Sequence, residues 1–132
     1  MFEKINVKTS KRTEIINITA KVENIINKAN IKEGIVIIYV PHTTAGVTIN
    51  ESADSDVVRD IKKEINKIVP FDDNYKHFEG NSAAHIKSSL FGSSETIIIE
   101  DGVMQLGRWQ GIFFCEFDGA RTRNIFIKII NG

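Results

Sequence analysis

The residues able to do chemistry fall into three short polar stretches, and the densest is HFEGNSAAHIKSSLFGSS at positions 77–94. It holds two of the three histidines, one lysine and five serines. Asn81 is a residue type that caps a helix through its side-chain oxygen, and Gly92 one that ends a helix in the left-handed conformation. On the short helix between them, His85, Ser88 and Ser89 share one face, with His85 a turn from the amide-rich start. That start can hold an anion beside an imidazole. His42, just past an apolar run, and His77 in a loop complete the set. Three imidazoles with an open fourth position form a zinc-type catalytic arrangement. Three separate structural histidines explain the same residues, since the eight-residue spacing of His77 and His85 is not a zincin pair.

Arg121 and Arg123 alternate onto one strand face, an arrangement that lets two guanidiniums hold a phosphate or carboxylate. The competing reading is a cross-strand ion pair of Glu116 with Arg121 at a sheet edge, worth little in water. Thr43, Thr44, Ser88 and Ser89 can complete an anion site or simply satisfy their own backbone. No Ser-His-Asp order, P-loop or glycine-rich dinucleotide fingerprint is present. Cys115, the single cysteine, lies among Phe113, Phe114 and Phe117 and reads as a buried thiol in a reducing compartment.

The elements that position these groups follow from periodicity. Residues 2–8 and 12–18 read as strands joined through Thr9-Ser10-Lys11. Thr19 is expected to cap a helix with Val22, Ile25, Ile26 and Ala29 on its buried face, ending near Asn30. IVIIYV at 35–40 reads as a central buried strand stopped by Pro41, and 46–51 as another strand. Asp54 or Ser55 caps a helix to about Val69, with Val58, Ile61, Ile65 and Ile68 inward and its lysines solvated. Strands at 95–100, 104–117 and 121–130, separated by Asp101-Gly102 and Asp118-Gly119, form an antiparallel meander. A two-residue second loop sets Glu116 opposite Arg121, Phe114 opposite Arg123, Ile112 opposite Ile125 and Gln110 opposite Ile127. That sheet is apolar on both faces, and two long helices cover only one, so the other face should meet a second sheet or subunit.

A chain of 132 residues fits one domain, 1–132. Lys plus Arg and Asp plus Glu are equal at 17 each, so no overall field favours nucleic acid or a membrane surface. No apolar run has the length of a signal peptide or a membrane span, and a cytoplasmic location is expected.

Three blocks, PHTTAGVTINE at 41–51, HFEGNSAAHIKSSLFGSS at 77–94 and LGRWQGIFFCEFDGARTR at 106–123, resemble those of the YjbQ-like family. The resemblance covers nearly the whole chain. It implies an α+β fold with a large, mostly antiparallel sheet, two main helices with a short third, and a homotrimer built by sheet packing. It also implies secondary thiamine-phosphate synthase activity, which joins hydroxymethylpyrimidine diphosphate to a thiazole phosphate and releases diphosphate. Carried over by motif, the catalytic groups are His42, His77, His85 and Glu116, and the phosphate or substrate is bound by Thr43, Lys87, Trp109 and Arg121. A divalent metal ion, zinc or magnesium, is expected on His42, His77 and His85. Arg108 stands where similar proteins commonly have threonine. The alternatives are a metal-dependent hydrolase of a phosphorylated metabolite and a non-catalytic trimeric metal- or ligand-binding protein.

Overall fold

The computed structural model describes Met1–Gly132, and its architecture is α+β. The strands are β1 (Phe2–Lys8), β2 (Glu14–Asn17), β3 (Gly34–Tyr39), β4 (Ala45–Glu51), β5 (Ser94–Glu100), β6 (Val103–Met104), β7 (Gln110–Glu116) and β8 (Thr122–Asn131). The helices are α1 (Thr19–Ala29), α2 (Ser55–Ile68) and α3 (Ser82–Phe91). All strand pairs are antiparallel and form two sheets, β1-β8-β3-β5-β6 and β2-β7-β4.

The sheets face each other across the main core. Val36 and Ile38 of β3, Ile97 and Ile99 of β5, and Ile125 and Ile127 of β8 point inward from the larger sheet to meet Val47, Ile112 and Phe114 of the smaller. Val22, Ile25 and Ile26 of α1 belong to the same core. Successive residues of a strand face opposite ways, so β7 presents Phe113 and Cys115 to the other side, where they pack with Phe117, Ala84 of α3 and Val58 of α2. Both faces of β7 are therefore covered, which is why it is buried continuously from Gly111 to Glu116. Burial pushes the Cys115 thiol up to about 12, leaving it inert.

The Asp101-Gly102 hairpin forms as expected: Glu100 pairs with Val103, and both turn residues have the positive φ that such a loop requires. The second expected hairpin does not. The run 104–117 breaks at Gly107 and leaves one sheet for the other, Gln110 Oε1 accepting from the Gly107 N–H at 2.7 Å. Asp118-Gly119 then carries the chain back, so β7 and β8 do not pair and Glu116 does not face Arg121. The glycine here serves close packing, since a Cβ on Gly119 would lie 2.3 Å from the Lys11 carbonyl oxygen. Local turn chemistry is outweighed by the pairing of β7 with β2 and β4 and of β8 with β1 and β3.

The caps differ in detail. α2 starts on Asp54, whose carboxylate accepts from the Asp56 N–H at 2.9 Å. Thr19 is not the cap of α1; it lies inside the first turn, where its hydroxyl accepts from the Ile112 N–H at 2.9 Å and ties the helix to β7. Of the four apolar residues expected inward on α2 only Ile65 is buried, and Ile68 is 67% exposed. No helix is long and apolar enough to cross a membrane.

Candidate functional site

Three connections converge where β3, β8 and α3 meet. Pro41 ends the β3 segment and delivers His42 and Thr43 into the link to β4. The ring of His42 is anchored, Nε2 accepting from the Asn124 N–H at 3.0 Å. An acceptor at Nε2 puts the neutral ring's proton on Nδ1. Burial, then the charge of Arg123, lowers the His42 pKa from its ordinary 6.5. A depressed histidine is less protonated in the native than in the unfolded chain, so stability is expected to fall as pH drops below 6.5. Denaturant melts from pH 7.5 to 5.5 on wild type and His42→Gln check this: only wild type should show the slope.

α3 brings His85 to the opposite wall, and its start is tied to the crossover rather than capped by its own side chain. Asn81 Nδ2 donates to Asp118 Oδ2 at 3.1 Å, while Asn81 Oδ1 is buried without a partner. The crossover supplies Arg121, whose Nε and Nη2 donate to the Asp118 carbonyl and carboxylate at 2.8 and 2.9 Å. Asp118 therefore fixes one side of the guanidinium and leaves its Nη1 free of protein partners. The result is a cavity of about 810 Å³ walled by His42, Thr43, Asn81, His85, Arg121 and Arg123, with only two hydrophobic lining residues. Its size suits a small metabolite.

Behind this wall Arg123 belongs to a buried ion pair. Glu116 is fully buried and accepts from Arg123 Nε at 2.8 Å, Thr9 Oγ1 at 2.9 Å and the Asp118 N–H at 3.0 Å. Arg123 Nη2 also donates to Glu116 and, at 2.8 Å, to Thr44 Oγ1. Burial alone would raise the Glu116 pKa, but the hydrogen bonds from Arg123, Asp118 and Thr9 outweigh it and hold the carboxyl below its ordinary value.

The structure thus gathers His42, Thr43, His85 and Arg121, and places four other sequence candidates differently. Glu116 pairs with Arg123, not Arg121, and is not among the cavity-lining residues. Lys87 is fully buried between α3 and α2, its Nζ donating to Asn66 Oδ1 and lying 3.7 Å from the Phe71 ring centroid. Burial and the charge of Arg12 lower its pKa to about 8. Trp109 lies at the far end of β7, 53% exposed, with the Arg108 guanidinium over its ring, so neither joins the cavity. His77 stands edge-on to His85 with ring centroids 5.6 Å apart, outside the main cavity. No group of three or more His, Cys, Asp or Glu side chains is gathered for a metal, and the His42 Nε2 lone pair is already engaged by the Asn124 N–H. The donor set does not fit the expected three-histidine centre. Asn81 and Asp118 are the residues that sequence reasoning missed, having been read as a cap and a turn.

The UPF0047 protein YjbQ-like family model matches residues 3–132. The UPF0047 protein of Methanocaldococcus jannaschii is 54% identical over 98% of this chain and 94% of its own length. The UPF0047 protein YugU of Bacillus subtilis is 48% identical over 98% and 99%. A crystal structure from Clostridium acetobutylicum, an uncharacterized conserved protein of the yjbq/upf0047 family, superposes with a TM-score of 0.95 at 51% identity, covering 97% of this chain and 99% of that one. One from Sulfolobus solfataricus, called a YbjQ-like protein of unknown function, gives 0.96 at 32% identity, covering 100% and 97%. These names carry a family and no activity.

Proposed function

This chain belongs to the UPF0047 YjbQ-like family, and from that premise we propose that its polar cavity binds a phosphorylated small metabolite and acts as a thiamine-phosphate synthase. The observation that carries the reading is the convergence of Arg121, His42 and His85, from three distant segments, on one cavity with few apolar walls. In the reaction, the thiazole nitrogen lone pair forms a C–N bond to the pyrimidine methylene carbon while the C–O bond to diphosphate breaks. The bonding electrons leave on a diphosphate oxygen, so the demand on the protein is to stabilise negative charge. Arg121 meets it with the N–H groups that Asp118 leaves open, His42 adds its Nδ1–H, and His85, whose ring has no hydrogen-bond partner in the chain, can donate a proton.

A divalent ion enters this reading as the counter-ion carried by the diphosphate substrate. Elemental analysis is expected to find no metal at one per chain; zinc at that ratio would reinstate a histidine centre. A non-catalytic ligand-binding role is the second reading, favoured by the burial of Glu116 and Lys87, which removes one candidate catalytic group and one candidate phosphate-binding group from the cavity. Purified protein incubated with both thiamine precursors, and separately with a generic phosphate ester, tests these. Thiamine phosphate with stoichiometric diphosphate supports the synthase, phosphate release from the ester supports a hydrolase, and binding without turnover supports the carrier.

The homotrimer belongs to the same proposal. On the outer face of the larger sheet Phe2, Tyr39, Ile98 and Ile130 are between 45% and 60% exposed, and no helix covers them. An apolar face of this kind, broken only by side chains such as Lys4 and Lys128, marks an association surface. Light scattering should give three times the chain mass, and Ile98→Lys with Ile130→Lys should reduce it to one.

A further inference from the structure

The cavity that holds Arg121 shares His42, Thr43, His85 and Ser93 with a neighbouring cavity of about 370 Å³. The residues peculiar to the second, Ala45, Ser88, Ser89 and Gly92, are all uncharged, whereas those peculiar to the first include Glu79, Asp118, Arg121 and Arg123. The two compartments thus present different chemistry while sharing the imidazoles of His42 and His85. The geometry of the smaller one is fixed by close packing: a Cβ on Gly46 would lie 2.6 Å from the Gly92 carbonyl oxygen, which holds the end of α3 against β4.

The serines define what that compartment recognises. Ser89 Oγ donates to the His85 carbonyl at 2.9 Å, and Ser88 Oγ has the carbonyls of His85 and Thr43 as acceptors. A hydroxyl has one proton and two lone pairs. With the protons committed to backbone carbonyls, both oxygens retain only acceptor capacity, which suits a ligand bearing hydroxyl or N–H donors and repels an anion.

We infer that the site takes a two-part ligand, with a phosphate at the Arg121 end and an uncharged, donor-bearing group past His42 and His85 against Ser88 and Ser89. This inference rests on the phosphate reading of the larger cavity. The substrate class is a small phosphate ester whose other end carries hydroxyl or N–H donors. Ser89 is exposed on α3, so a longer side chain fits there without disturbing the core, and leucine and alanine are both good helix formers.

Calorimetric titration of wild type, Ser89→Leu and Ser89→Ala with inorganic phosphate and with ribose 5-phosphate tests the inference. Ribose 5-phosphate should bind wild type about tenfold more tightly than phosphate, as expected from one or two added hydrogen bonds. Ser89→Leu should abolish that advantage and Ser89→Ala reduce it about threefold, both with unchanged phosphate affinity. Equal affinities of the two ligands for wild type, or a substitution that weakens both equally, overturns the second compartment and leaves the phosphate reading standing. Failure of wild type to bind phosphate overturns that reading and this inference with it.

Discussion

Arg121→Ala is expected to lower the affinity for inorganic phosphate by about 1.5 to 3 kcal/mol, roughly 10- to 150-fold. The range is that of a hydrogen bond to a charged group. A larger loss is not expected because the Arg121 side chain is 52% exposed and solvent screens its charge. Its pairing with Asp118 is a surface i,i+3 contact that contributes about 0 to 1 kcal/mol, so the same substitution should barely move the melting temperature. Arg121→Lys should recover less than half of the lost affinity, because an ammonium cannot keep two contacts to Asp118 and still present a fork to the ligand. Calorimetry paired with thermal melts separates the outcomes. Unchanged phosphate affinity across the three proteins would reduce Arg121 to a surface ion pair.

The opposite pattern is expected at Glu116. Glu116→Ala leaves the Arg123 guanidinium buried and unpaired, and strands the donors of Thr9 and Asp118, which should cost about 3 to 5 kcal/mol of stability. For a chain of this length that corresponds to a melting temperature lower by about 10 to 18 °C. Replacing both partners, as in Glu116→Leu with Arg123→Met, should recover most of the loss, because an apolar pair of similar volume leaves no charge uncompensated. The pair also sets the acid limit. A carboxyl whose folded pKa is depressed contributes stability that is complete above its unfolded value of about 4.5, and that stability fades as pH falls through the folded pKa. Chemical denaturation at pH 7 and pH 4 for wild type and the double variant measures both effects. A Glu116→Gln protein with wild-type stability and no turnover would instead give the carboxylate a catalytic role.

These expectations differ from a reading of the sequence alone, and the differences have physical causes. The amphipathic period of α1, the β-branched run of β3 and the Asp101-Gly102 turn were legible because each is decided within a few residues. Convergence of the three polar blocks was legible through their resemblance to a family, not through spacing. The partner of Glu116 was not. Asp-Gly reports a local reversal, whereas sheet membership is decided by which strands flank β7, and those are β2 and β4, far away in sequence. Lys87 and Trp109 share the same limitation. Polarity marks a residue as able to bind, but the helix phase that turns Lys87 toward Asn66 and Phe71, and the length of β7 that separates Trp109 from the cavity, are geometric facts of the assembled chain.

The order β1-β8-β3-β5-β6 has a consequence for how the chain is made. β1 leaves the ribosome first, yet its only neighbour is β8, with Phe2 pairing to Lys128. Until β8 emerges, β3 has a partner on one side only, and its Ile35, Val36, Ile37 and Ile38 present an unpaired apolar edge to any other nascent chain. Closing the sheet requires insertion of a late strand between two early ones, a contact of very long sequence separation and hence a slow one. Expression yield should therefore respond to translation speed and chaperone supply over the β5 to β8 region, even though the finished protein, once closed, has no reason to be fragile.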